Sequence, residues 1–173
     1  MRKFTVLAVF LAGCASGPPA PTAAQKSELA PTGALRVAVF TGNPVLGSVD
    51  KSSGEVVGTT ATLGRELAKA AGVPAKITGY SAIAKMVEDA RTGEWDVAVV
   101  AFDPARSGVL EFAPPHIVVD LTFMVAPGSG IRSVPDADRP GVRIAAAKGA
   151  ATTLFLQRTL KSAQVVQKAQ SPS

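Results

Sequence analysis

One cysteine, one histidine, one tryptophan and one tyrosine are all that 173 residues hold of those four types. A disulfide framework needs paired cysteines and a zinc cluster needs several Cys or His ligands, so neither is expected. The lone His116 has no evident Ser or Cys partner for nucleophilic catalysis. No Gly-x-Ser-x-Gly elbow, His-Glu-x-x-His helix or phosphate-binding loop is present either. Basic residues do not cluster with aromatic ones, which argues against a nucleic-acid partner. The apolar run Phe4 to Leu11 is too short to span a bilayer. What remains is a chain with 47% hydrophobic and 18% charged residues, a balance that builds a core.

The first residues read as an export signal. Arg2 and Lys3 form a short basic region, an apolar stretch follows, and Leu11-Ala12-Gly13-Cys14 has the form of a bacterial lipobox. Small residues before the cysteine suit a lipoprotein signal peptidase, after which the Cys14 thiol carries a lipid anchor. An ordinary secretory signal cut near Ala20 is the other reading. Without Arg2 and Lys3 the basic residues number 16 against 13 acidic ones, a net charge of +3. Gly17 to Gln25, rich in Pro and Ala, reads as a flexible, partly extended tether.

The folded part is expected from Gly33. Leu35 to Phe40 form a first strand that breaks at Gly42-Asn43-Pro44. After a surface turn at Asp50 to Gly54, Leu63, Leu67, Ala70 and Ala71 recur at helical spacing until Gly72. Lys76 to Tyr80 predict a second strand, Ser81 a helix cap, and Ile83, Met86, Val87 and Ala90 a second helix ending near Gly93. Val97 to Phe102 are apolar without alternation, as in a strand covered on both faces. Strand, helix, strand, helix, strand gives a parallel α/β sheet with right-handed crossovers. Beyond Pro115 the chain is extended from Ile117 to Val125. A strand at Val142 to Ala147, a helix at Thr152 to Leu160 and a last strand from about Val165 then follow.

At the end of the apolar strand, Asp103-Pro-Ala-Arg106 brings a carboxylate and a guanidinium to a turn that opens toward a cleft. This is a recognition site for a small charged molecule, or else a surface arginine paired with Asp103 or Glu111. Trp95 and Asp96 read as structural, an indole covering the end of the sheet and a carboxylate at a turn.

The landmarks along the chain are Gly-x-Leu-Arg-Val at the first strand, Gly-Glu-Trp-Asp after the second helix, Asp-Pro-Ala-Arg, Glu-Phe-x-x-Pro, and Pro-Gly-Val-Arg-Ile followed by a Lys-Gly loop. Their order resembles the bacterial extracellular solute-binding proteins of family 3, the amino-acid receptors of ABC importers. The resemblance implies a periplasmic binding protein type II fold, two α/β lobes joined by crossovers and closing like a hinge on a solute at the strand ends. It also implies a lipid-anchored monomer in the bacterial envelope, an ABC permease as partner, an amino acid or similar polar solute as ligand, no cofactor and no catalysis. The same fold resembles periplasmic dehydratases of cyclic acids, which keeps an enzyme open as the alternative, with Asp103 as the candidate acid or base.

Carried over residue by residue, the family pattern makes Arg106 the group that grips the ligand's α-carboxylate, a task suited to a planar guanidinium with two parallel donors. Gly149-Ala150-Ala151-Thr152 match the loop whose backbone N–H groups, at a helix start, complete that site. Ala150 and Ala151 stand where hydroxyl residues often occur, leaving the backbone and Thr152 as donors. Tyr80 matches a ring lining the solute side chain, and Asn43 falls where another ring often stacks. Ala101 and Asp103 occupy positions commonly held by Ser or Thr, and Asp103 accepts from a ligand amine or, preferably, holds Arg106. The expected division is a signal peptide at 1–13, a linker at 14–32, a first lobe at 33–121, and a crossover with a partial second lobe at 122–173. Since family members continue for roughly another lobe, weak or absent solute binding is the expectation for a chain of this length, and a non-functional fragment is a further alternative.

Overall fold

The strand Leu35–Phe40 (β1) is buried at five of its six residues because it is covered on both faces. Leu35, Val37 and Val39 point to one side and pack with Ala30, Ala61 and Ala68. Ala38 and Phe40 point to the other and pack with Ile83 and Met86. The period of two along a strand therefore builds two half-cores from one six-residue segment. This computed structural model describes residues 20–169; the segment expected to be an export signal and Cys14 lie outside them.

In chain order the elements after β1 are Ser48–Val49 (β2), Val56–Val57 (β3), Thr59–Ala71 (α2), Ala75–Tyr80 (β4), Ile83–Arg91 (α3), Val97–Ala98 (β5), Arg143–Ala147 (β6), Ala151–Thr159 (α4) and Gln164–Lys168 (β7). A short helix, Ala23–Leu29 (α1), precedes β1. The sheet order is β4-β1-β5, with both pairings parallel, and Leu35 opposes Ala75 while Val37 opposes Val97. β6 and β7 form a separate parallel pair with Arg143 opposite Gln164. The architecture is thus α/β: a first lobe with a parallel sheet, and a β6–α4–β7 unit belonging to a second. Among the described residues no helix is long and apolar enough to cross a membrane.

Several elements differ from their sequence-based expectations. The Pro- and Ala-rich segment expected as a tether contains the start of α1, whose Thr22 and Gln25 form a reciprocal capping box, enough to close a first turn. Leu29 and Ala30 then add to the core. The turn at Asp50 sits in a small antiparallel hairpin, β2 with β3. Ala82, not Ser81, is the N-cap of α3, and no side chain bonds there. The strand expected from Val97 to Phe102 is regular only at Val97 and Ala98. β5 lies at the sheet edge with β1 as its one neighbour, and at Ala101 the backbone carbonyl accepts from Arg106 instead of a strand. From Ser107 to Val134 there is neither helix nor strand, and the apolar side chains Ile117, Val118, Val119, Leu121 and Met124 are exposed. The lobe boundary expected at residue 121 falls inside this stretch.

Two ties fix the sheet end below the candidate site. The Trp95 indole N–H donates to the carbonyl of Met86 at 2.8 Å, and the Asp96 carboxylate accepts from the Arg36 backbone N–H at 2.8 Å and its Nε at 3.1 Å. Both support the structural reading of these residues.

Candidate functional site

Asp103 and Arg106 are the only two charged residues among the buried polar side chains of the described chain, at 2% and 3% exposure. A single 3-10 turn, Pro104–Arg106, places them. Asp103 is its N-cap, with Oδ1 accepting from the Ala105 N–H at 2.9 Å, and Pro104 supplies the fixed φ that such a first position favours. The turn follows the irregular end of β5, so both side chains are delivered at the carboxyl edge of the sheet.

The partners differ from those expected. Asp103 does not hold Arg106 through its carboxylate. Its two oxygens are taken by the guanidinium of Arg158, Nη1 to Oδ1 at 3.0 Å and Nη2 to Oδ2 at 2.9 Å. This is the parallel two-bond geometry that arginine and carboxylate share. Hydrogen bonding from Arg158 holds the Asp103 carboxyl below the usual carboxylate range, against the opposing effect of burial, with Ala105 and the charges of Arg158 and Arg106 assisting. Arg106 instead donates to two backbone carbonyls, Nη1 to Ala101 at 2.6 Å and Nη2 to Gly149 at 2.8 Å. Burial pushes the Arg106 guanidinium below its ordinary value, with the Asp103 charge working against that; it stays a cation at any ordinary pH.

Gly149 links the turn to the second unit. Its φ is +76°, and a Cβ on it would sit 2.9 Å from the Ala84 Cβ of α3. The left-handed backbone and the close approach both call for glycine. Ala150, the N-cap of α4, makes no side-chain cap bond and packs on the same half-core as Phe40, Ile83 and Met86. Ala151 and Thr152 open the helix and are half-buried. The next residue, Thr153, is fully buried and donates its hydroxyl to the Ala147 carbonyl at 2.6 Å.

Tyr80 is half-buried against that half-core. Burial raises its phenol pKa, and the Asp89 carboxylate on α3 adds to the rise. Asn43 is exposed and spends its side-chain oxygen on the Val45 N–H at 3.0 Å, within the loop after β1. Ala101 is exposed and contributes its carbonyl to Arg106. The structure therefore brings Ala101, Asp103, Arg106, Gly149 and Ala150 together, while Asn43 is tied into its own turn. A groove of about 520 Å³ runs beside the turn, lined by Phe102, Ser107 to Leu110, Glu111 and Phe112, with neither Arg106 nor Asp103 in its wall. Among the described residues no group of His, Cys, Asp and Glu could hold a metal ion. Arg158 was not singled out by the sequence reading: it lies 55 positions from Asp103, and an arginine in the last turn of a helix is ordinary.

The sequence pattern of the bacterial extracellular solute-binding proteins, family 3, matches residues 35–171. The chain belongs to that family. Among solved structures, this family-3 protein is similar to a putative ABC-transporter binding component from Wolinella succinogenes complexed with lysine, at 26% identity, a TM-score of 0.67, and coverage of 80% of this chain and 61% of that one. It shares its fold with an ancestral amino-acid-binding protein described as a precursor of cyclohexadienyl dehydratase (22% identity, TM-score 0.69, 83% and 64% coverage). It shares it also with an amino-acid ABC-transporter substrate-binding protein from Streptococcus pneumoniae bound to L-arginine (19%, 0.68, 83% and 61%). The family-3 chain therefore spans a little over three fifths of the length of these structures. Among curated proteins no match is found.

Proposed function

We propose that this family-3 protein is the solute receptor of an ABC importer, capturing an amino acid through its α-carboxylate without chemical conversion. The observation that carries the reading is the buried Arg106 guanidinium. It lies between the Asp103 turn and the residue that precedes the N-cap of α4. A buried arginine fork beside a helix start combines paired donors with unsatisfied backbone N–H groups and the positive end of the helix dipole, and both favour a carboxylate.

In this reading Arg106 takes the carboxylate from the first lobe, and the backbone N–H groups of Ala151 and Thr152 take it from the second, the Ala150 N–H being spent on the Ala147 carbonyl at 3.1 Å. Tyr80 and Asn43 border the solute side chain, Ala101 forms the wall next to Arg106, and Asp103 acts on the shape of the turn. Cys14 carries a lipid anchor that holds the protein, as a monomer, on the envelope membrane facing the periplasm or exterior. The permease of the importer is the partner that receives the solute.

Calorimetry with L-lysine, L-arginine, L-glutamine and neutral amino acids tests the proposal. Saturable binding of an amino acid, lost when the α-carboxylate is amidated, supports it. Equal binding of acid and amide would sink the clamp at Arg106.

A further inference from the structure

Among the described residues no β-ladder joins the sheet of the first lobe to the β6–β7 pair, and the connection between them runs through the irregular, exposed stretch from Ser107 to Val134. The placement of the β6–α4–β7 unit therefore rests on side-chain contacts. Two of them converge on the Asp103–Arg106 turn, and a close backbone approach adds a third contact. Arg158 of α4 forks onto Asp103, Arg106 donates to the Gly149 carbonyl, and Gly149 approaches Ala84 so closely that no Cβ fits. Asp103 is 3% exposed in its side chain and Arg158 46%, so the carboxylate depends on its partner more than the guanidinium does. A buried carboxylate that loses its cation is left uncompensated, which couples the pair strongly to docking.

We propose that the Asp103–Arg158 pair is a latch that docks the β6–α4–β7 unit on the first lobe and keeps the Gly149 carbonyl on Arg106. In the latched form one N–H of each terminal nitrogen of Arg106 is taken by a protein carbonyl, so a solute carboxylate meets only the remaining three of its five donors. The latch rests on the proposed carboxylate role of Arg106 only for this last consequence; the docking itself does not need it.

The test places spin labels on Lys69→Cys in α2 and Lys161→Cys after α4, both exposed, in the full chain with its only cysteine changed, Cys14→Ser. Pulsed dipolar spectroscopy without solute is expected to give one short distance in the parent. Arg158→Gln and Asp103→Asn each add a separated population, raising its ratio to the docked one at least tenfold. Asn at 103 keeps an oxygen for the Ala105 cap. The double variant is expected to open no further than either single one, because both remove the same bond. Arg158→Lys, which keeps the charge but loses the fork, is expected to fall between and guards against failure of the other variants to fold. Unchanged distances in Arg158→Gln and Arg158→Lys overturn the latch, as does a double variant whose effect is the product of the two singles. Because no amino acid is present, this result stands whether or not calorimetry finds binding. Absent binding with an intact latch bears on the receptor reading alone.

Discussion

Arg36 at the start of β1 and Asp96 just before β5 clasp two neighbouring strands of the first lobe. The clasp has three bonds to one carboxylate, two from the Arg36 side chain and one from its backbone N–H. Burial pushes the Asp96 carboxyl upward, but the Arg36 hydrogen bonds and charge outweigh it and hold the value below the usual range. The sign follows. A depressed folded-state value means the pair contributes stability fully above the unfolded value of about 3.9, and loses it as pH falls through the lower folded value. Urea midpoints measured from pH 6 to pH 2 should therefore fall more steeply for the parent than for Asp96→Asn. Parallel curves would show that the clasp adds nothing.

Asp50 titrates in the same direction without being buried. Its carboxylate accepts from the Ser52 hydroxyl and from the N–H groups of Ser52 and Ser53, which lowers its pKa to about 2, the Ser52 hydroxyl having the largest effect. Carboxyl carbon shifts followed by NMR should give a midpoint near that value. In Ser52→Ala the midpoint should move back toward the ordinary range, while the hairpin of β2 and β3 persists.

The Cβ that Gly64 lacks would stand 2.6 Å from the Val37 Cγ1, so α2 lies on β1 at a distance only glycine permits. Alanine gains about 1 kcal/mol of helix propensity. It must also push a β-branched, buried side chain aside, at a cost of roughly 1–3 kcal/mol. Gly64→Ala should lower stability by about 1 kcal/mol in urea unfolding; a gain would mean that α2 slides freely over the strand.

Thr60, next to the start of α2, is buried and its hydroxyl has no hydrogen-bond partner among the described residues. An unsatisfied buried hydroxyl costs about 1–3 kcal/mol, and an isosteric apolar group avoids that cost. Thr60→Val should raise the thermal midpoint, by an amount equivalent to about 1 kcal/mol. A lowered midpoint would point to an ordered water on the hydroxyl.

The first lobe was legible in the sequence because its signals are local. Apolar alternation placed β1, helical spacing and Gly72 placed α2, and Lys76 to Tyr80, all but the first residue of β4, read as a strand from their own residues. Later elements that obey local rules, β6, α4 and β7, were legible for the same reason. What failed was decided by distant partners. Val99 to Phe102 look like strand, but the pairing with β1 stops at Ala98. Asp103 looked like the keeper of Arg106 because the two are three residues apart, whereas its partner Arg158 is brought to it only when α4 docks. Arg106 itself was singled out by position in a motif, and no sequence signal says that its donors rest on the carbonyls of Ala101 and Gly149.

Those two carbonyls make Arg106 both a structural and a candidate binding residue, and variants can separate the roles. Arg106→Met keeps a long apolar stem in the buried space but removes every donor, leaving the Ala101 and Gly149 carbonyls without their partner. Lost stability of about 1–3 kcal/mol is expected from those two acceptors. Arg106→Lys retains the charge and one direction of donation, so its stability should fall less, while a carboxylate clamp that needs the paired fork should still weaken at least tenfold, or about 1.4 kcal/mol. Urea unfolding together with calorimetry on the same two variants distinguishes the cases. If solute affinity tracks stability in both, Arg106 acts only by holding the turn. If Arg106→Lys stays folded yet loses affinity, the fork itself meets the solute.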